Sequence, residues 1–427
     1  MSTPAVATGS DHTQTAVLED LMRVRATTVS LCDPLEPEDC VVQSAPETSP
    51  AKWHLAHTTW FFETFVLQPF IKGYQPFHAE FAFLFNSYYE SVGAFYPRNN
   101  RGLLTRPSFA AILDYRRHVD TQLTRLLSEG SRDHWEVIAV RCTLGMHHEQ
   151  QHQELLLTDI KHLFWCNPLR PAYRDRSPDP AGATVDVDWI AFPAGLYETG
   201  YVGQGFCFDN ELPRHRNYVE PFRIASRPVT NGEFLEFIED DAYNKPTLWL
   251  SDGWQAIRER GWSAPLYWEQ RNGIWWQFTL SGMREVNPAE PVCHVSYYEA
   301  DAFARWAGKR LPTETEWEIA ATDRIAAERN RSGNFYENGR LHPQPCSEQA
   351  SFFGDVWQWT SSPYSPYPGY SPTVGALGEY NGKFMVNQQV LRGGSCATPR
   401  SHIRDSYRNF FYPHDRWQFK GLRLADK

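Results

Sequence analysis

No stretch of the 427-residue chain approaches the ~18 uninterrupted apolar residues that a membrane-spanning helix requires. The opening residues, Met1-Ser-Thr-Pro-Ala-Val-Ala-Thr, lack the basic front and apolar stretch of a secretion signal. Positive charge is also in deficit: 41 Lys and Arg stand against 51 Asp and Glu, a formal net charge of −10. A nucleic-acid binder carries a basic footprint, so that class is excluded. The eight cysteines are scattered, without a CxxC pair or a short-period framework. That excludes a disulfide scaffold and points to reduced thiols in the cytoplasm. Internal repeats and low-complexity tracts are absent too. What the chain has in quantity is aromatic rings: 15% of residues, with 16 Trp, 20 Tyr and 26 Phe. Rings bury large areas, so the sequence can fill two sizeable cores.

The chain changes grammar near its middle. Residues 1–12 are small and polar and read as a flexible tail. Residues 13–167 read as a helical bundle. One helix covers about Gln14–Ser30. A second starts at Ser49-Pro50, with Ser as cap and Pro in the first turn, and runs to about Pro69. A third spans roughly Ser108–Leu127, and a long fourth about Asp133–Phe164. Between the second and third lies a loop-like stretch, 70–106, rich in Tyr, Phe, Asn and Arg. Residues 168–187 are rich in Pro, Asp and Arg without periodicity and read as a linker. From 188 to 427, short aromatic runs alternate with Gly, Pro and Asn turns, and helices are few. The clearest are Asn231–Glu239, Tyr297–Gly308, with a Ser296/Glu299 capping box, and Thr313–Thr322.

The chemistry-bearing pattern lies in the fourth helix, His148-Glu149-Gln150-Gln151-His152. A spacing of four rotates a helix by ~400°, so both imidazoles leave one face a turn apart. Leu144, Leu155 and Leu156 flank them, which turns that face inward. A matching histidine pair lies on the second helix in Trp53-His54-Leu55-Ala56-His57. His57 is the better candidate, because His54 falls about 60° around the helix and Trp60-Phe61 bracket His57. Three neutral imidazoles on a divalent metal leave positions open for substrate and oxygen. The same five residues also satisfy HExxH, in which Glu149 would be the base of a zinc hydrolase. That reading needs a third ligand downstream, and Gln153-Glu154-Leu155-Leu156-Leu157 offers no Gly and no third His.

LAHTTWFFE around His57 and HHEQQHQE around His148 and His152 resemble the DinB-like bundle of iron-dependent ergothioneine-biosynthesis sulfoxide synthases, the hercynine oxygenases. The second half is similar to the formylglycine-generating-enzyme/sulfatase-modifying fold, a C-type-lectin-like domain of low regular secondary structure. Its matching stretches are Arg305-Trp306-Ala307-Gly308-Lys309-Arg310-Leu311-Pro312, Gly354-Asp355-Val356-Trp357-Gln358-Trp359-Thr360 and Val390-Leu391-Arg392-Gly393-Gly394-Ser395. The resemblance covers nearly the whole chain. It implies an α + (α+β) architecture in which the second module closes the substrate pocket. It also implies Fe(II) on His57, His148 and His152, with hercynine, a cysteinyl thiol and O2 as small-molecule substrates. A related carbon–chalcogen synthase, of selenoneine or ovothiol type, is the neighbouring alternative. Formylglycine-generating enzymes use two cysteines after RGGS. Thr398 and Ile403 stand at those places here, with Cys396 earlier, so that chemistry is not expected.

The resemblance also assigns the surrounding residues. Arg98 and Arg101, three apart in the Tyr-rich loop, form a clamp for the thiol substrate's carboxylate. Tyr88 and Tyr89 are adjacent phenols, one of which can face the metal and deliver a proton. Gln151, one residue before His152, reaches a bound imidazole. Asn409, Phe410 and Phe411 wall the hercynine, whose trimethylammonium group suits aromatic faces. Phe411 stands where such families often carry an acidic residue, which leaves γ-glutamylcysteine and free cysteine both open as the thiol. Glu154 is expected behind a ligand imidazole, orienting it.

Overall fold

The computed structural model describes residues 13–129, 132–175, 185–328, 331–345 and 352–427. The expected tail 1–12 and much of the expected linker lie outside these. Two compact units emerge. The first takes in Met1–Leu169 together with two short excursions of the later chain, Gly203–Cys207 and Pro372–Asn381; the second holds the rest.

The first unit is built on four helices: α1 (Gln14–Ser30), α2 (Ala51–Phe62), α3 (Phe109–Glu129) and α4 (Trp135–Cys166). Thr13 caps α1, its hydroxyl accepting the Ala16 N–H. α4 packs on α1 and α2, and α3 closes the other side of both. All 12 residues of α2 are buried, polar ones included, so this helix runs through the middle of the unit. α2 does not stop near Pro69 as an ordinary helix. It passes through a π-helical turn, Glu63–Leu67, before ending at Phe70. The anticipated Ser49 cap is also replaced: Pro50 takes the cap position, and Ser49 instead gives its N–H to Asp159 at 2.8 Å. Nor is 70–106 wholly loop. Phe81–Phe85 forms a helical turn, and Arg98–Leu103 forms a 3-10 turn that fixes Arg101 in the interior.

The second unit has little regular structure, as its turn-rich sequence predicts. A four-stranded sheet orders Asn409–Phe411, Gln389–Arg392, Trp357–Pro363 and Lys420–Leu422, the last pair parallel and the others antiparallel. A three-stranded sheet sets Phe222–Ala225 between Trp189–Phe192 and Ala425–Asp426. Another is a meander of Trp268–Arg271, Ile274–Thr279 and Gly282–Glu285. The Ser296/Glu299 capping box forms at the start of Tyr297–Trp306, and the next helix runs longer than its sequence signal, Glu314–Glu328. Trp317, Trp357 and Trp359 are buried to 2% exposure or less and form the core. Part of the expected linker is packed here: Tyr173 is buried and its N–H donates to the Leu280 carbonyl at 2.9 Å. Among the described residues, no helix is long and apolar enough to cross a membrane.

Candidate metal centre

Within the first unit, α2 and α4 bring three imidazoles together. One nitrogen each of His57, His148 and His152 lie within 4.8 Å of one another, and all three rings are buried. The His57 and His148 Nε2 atoms are 3.2 Å apart. Two nitrogens sharing an ion through bonds of about 2.1 Å sit roughly 3.0–3.4 Å apart, so this separation suits a common metal. The protons are disposed to match. His57 Nδ1 is 2.6 Å from the Phe85 carbonyl, which can only accept, so its lone pair is left on Nε2. His148 Nδ1 has no partner among the described residues. Burial pushes the His148 imidazole down to about 3 and the other two well below the ordinary histidine range, so all are neutral donors at neutral pH. The donor set therefore fits a divalent transition metal.

The other side of α4 resolves the HExxH question. Glu149, fully buried, is held by Arg25 and Arg116, and its Oε1 accepts from Thr28 Oγ1 at 2.6 Å. Burial alone would raise this carboxyl, but the two guanidiniums bring it below its ordinary value. A carboxylate saturated by two cations is a structural clamp and has no capacity left to act as a base. The HExxH alternative, already disfavoured by the missing third ligand, therefore loses its base.

The Tyr-rich loop divides its two arginines. Arg98 is exposed and donates to the Glu47 carbonyl. Arg101 is buried, with its guanidinium 3.3 Å over the Trp53 ring, and donates to Ser49 Oγ at 2.9 Å and Ser87 Oγ at 3.2 Å. No described carboxylate lies within ion-pair distance of it, and its Nε is unpartnered. Burial drives its pKa well down, the state a bound anion would relieve. Trp53 in turn stacks on His57, centroids 4.6 Å apart and planes at 10°.

Tyr89 packs among Trp60, Phe61 and Phe65, and the Tyr88 hydroxyl lies 3.5 Å from that of Tyr89. Burial pushes both phenols up. A third phenol, which the sequence reading did not single out, lies against the histidines. Tyr380 sits 5.5 Å from the His148 ring and 6.1 Å from that of Tyr88, and its hydroxyl donates to Gln151 Oε1. Its neighbour Glu379 anchors the segment by accepting the Glu90 and Ser91 N–H groups at 3.1 and 3.0 Å. No local pattern marks Tyr380 in the sequence; only the fold brings it 229 residues back to Gln151. Asn409, Phe410 and Phe411 belong to the second unit. There Phe410 stacks on Tyr364 at 4.0 Å, and the Lys420 ammonium lies 3.6 Å over Phe411. Glu154 is buried on α4, and Asp159 on the same helix reaches the imidazole cluster through His54.

A histidine-bearing helical bundle joined to a turn-rich sheet domain defines the class, and similarity to known proteins agrees with it. Residues 20–162 match the DinB superfamily, and 176–350 and 348–427 match the sulfatase-modifying factor enzyme 1-like domain. The hercynine oxygenase of Mycolicibacterium smegmatis is 35% identical over 311 residues, 67% of this chain and 71% of that protein. That of Mycobacterium tuberculosis is 35% identical over 299 residues, 65% and 69% of the two chains. A formylglycine-generating enzyme of Streptomyces coelicolor is 31% identical over 267 residues, 52% of this chain and 80% of that one. The chain belongs to the hercynine oxygenase family and is an oxygen-using oxidoreductase.

Proposed function

We propose that the enzyme joins the sulfur of a cysteinyl thiol, γ-glutamylcysteine or cysteine, to the imidazole carbon of hercynine, using O2 and Fe(II), and yields the hercynyl sulfoxide of ergothioneine biosynthesis. The convergence of three buried neutral imidazoles, in a chain of this family, carries the reading. The reaction balances: the C–H and S–H hydrogens leave as water with one oxygen atom, and the other oxygen is retained on sulfur. Iron(II) on His57, His148 and His152 supplies the redox chemistry that zinc lacks. Arg101, buried and without a carboxylate partner, takes the thiol substrate's carboxylate. Arg98, at the surface, sets the loop. Gln151 orients the substrate imidazole, and the Tyr380 phenol beside it, with Tyr88 and Tyr89 behind, delivers the proton that reduced oxygen requires. Asn409, Phe410 and Phe411 are assigned to hercynine on family resemblance. Seven thiols free of disulfides among the described residues support a reducing, cytoplasmic setting.

The test is mass spectrometry after anaerobic mixing with hercynine and both thiols in competition, followed by isotopically heavy O2. The expected product is one conjugate carrying a single heavy oxygen. Thiol oxidation without conjugate would sink the proposal, and conjugation only with a selenol or at another ring carbon would favour the related chalcogen synthases.

A further inference from the structure

His54 stands three residues before His57 on α2 and is 2% exposed. Its ring bridges two other buried side chains. Nδ1 lies 2.9 Å from His152 Nδ1, and Nε2 lies 3.1 Å from Asp159 Oδ2. Asp159 is seven residues beyond His152 on α4, two turns along the same face, and is 6% exposed. The same Oδ2 accepts the Ser49 N–H at 2.8 Å, which ties it to the entry of α2.

The order of these groups decides where the protons sit. A carboxylate oxygen accepts, so the hydrogen between Asp159 and His54 belongs to His54 Nε2. With a single ring hydrogen placed on Nε2, the His54 Nδ1 atom holds a lone pair. The atom facing that lone pair, His152 Nδ1, must then donate, which leaves the lone pair of His152 on Nε2. We propose that Asp159 and His54 act in series as positioning residues that fix His152 in the Nδ1–H tautomer and hold its Nε2 toward the metal. The proposal rests on the tri-histidine reading of the centre. It also accounts for a buried second histidine on α2 that is not itself part of the ligand cluster. The cluster member on that helix, His57, is fixed by a different device, the Phe85 carbonyl. An imidazole oriented through its second nitrogen by a carboxylate is a stronger and better aimed ligand, and losing such support typically weakens metal affinity about 10–100-fold.

The experiment titrates anaerobic metal-free protein with Co(II), read by visible absorption, alongside nitrogen-15 NMR of histidine tautomers in the Zn(II)-loaded protein. His54→Ala is expected to weaken Co(II) binding about 10–100-fold and to leave His152 as a mixture of tautomers. His54→Gln, whose amide oxygen restores an acceptor opposite His152 Nδ1, is expected to recover most of the affinity. Asp159→Asn, nearly isosteric, is expected to fall between wild type and His54→Ala, and it carries the test if His54→Ala does not fold. Unchanged affinity and unchanged His152 tautomer in folded His54→Ala or Asp159→Asn would overturn the relay while leaving the metal centre standing. A wild-type protein that binds no Co(II) would instead remove the tri-histidine reading, and the relay with it. A wild-type His152 protonated on Nε2 would overturn the relay alone.

Discussion

α4 buries polar groups on two faces within one turn and satisfies them in opposite ways. On one face Glu149 meets Arg25, Arg116 and Thr28, and the charge is matched by fixed partners. On the other, His148 and His152 meet His57, and burial favours the neutral form of all three rings, one nitrogen of each lying within 4.8 Å of the others. A buried polar group left with spare valence is costly unless something else fills it. The saturated face is therefore scaffold, and the unsaturated face is the one that could hold a metal ion.

Substitutions should separate the two faces. His152→Ala is expected to abolish metal loading and turnover while costing the fold about 1–3 kcal/mol, the penalty for the buried His54 acceptor left unpaired; metal analysis with urea denaturation checks both halves. Glu149→Ala should do the reverse. Buried Arg116 loses its carboxylate and Arg25 is left with Asp120 alone, at about 3–5 kcal/mol of unfolding free energy, while metal stoichiometry in whatever folds is preserved. A stable Glu149→Ala protein without metal would erase the distinction. Tyr380→Phe is expected to lower kcat about a hundredfold or more, with metal and thiol binding intact, since only proton delivery is lost; steady-state kinetics and product analysis decide it. Arg101→Ala should raise the thiol's KM roughly thirtyfold, about 2 kcal/mol, and leave hercynine's near its original value. Arg98→Ala should move neither by comparison.

Acid tests the same comparison in another way. The three imidazoles have folded-state pKa values depressed below the ordinary ~6.5, so below that pH the unfolded chain binds protons that the fold refuses. Stability of the metal-free protein is thus fully present above pH ~6.5. It should fall as pH drops toward the folded value of about 3 for His148, by up to ~1.4 kcal/mol per pH unit per imidazole. Denaturant titrations at stepwise pH should show this slope, and replacing His148 and His152 should flatten it.

Helical periodicity made the clustering of three histidines at the candidate site legible. The four-residue spacing put His148 and His152 on one face, and the aromatic bracket separated His57 from His54. The two-module order was readable because the hydrophobic period changes after the linker. What escaped is what the chain assembles across distance. His54 was set aside on helical angle, yet that angle seats it between His152 and Asp159. Asp159 stood in plain helical register with His152, at two full turns, and that spacing was the available signal. Tyr380 left no trace, because an isolated tyrosine in a turn-rich segment looks like any of the other 19. The arginine pair looked equivalent at spacing three, and only the 3-10 turn at Arg98–Leu103 sends one inward and one to the surface.

Trp53, against which both the Arg101 guanidinium and the His57 ring lie, gives the enzyme an internal optical probe. Indole emission is quenched or shifted by a neighbouring charge and by a paramagnetic ion on a stacked ring. Filling the anion position and loading the metal should therefore leave two separable marks on one fluorophore, visible in the difference between wild type and Trp53→Phe.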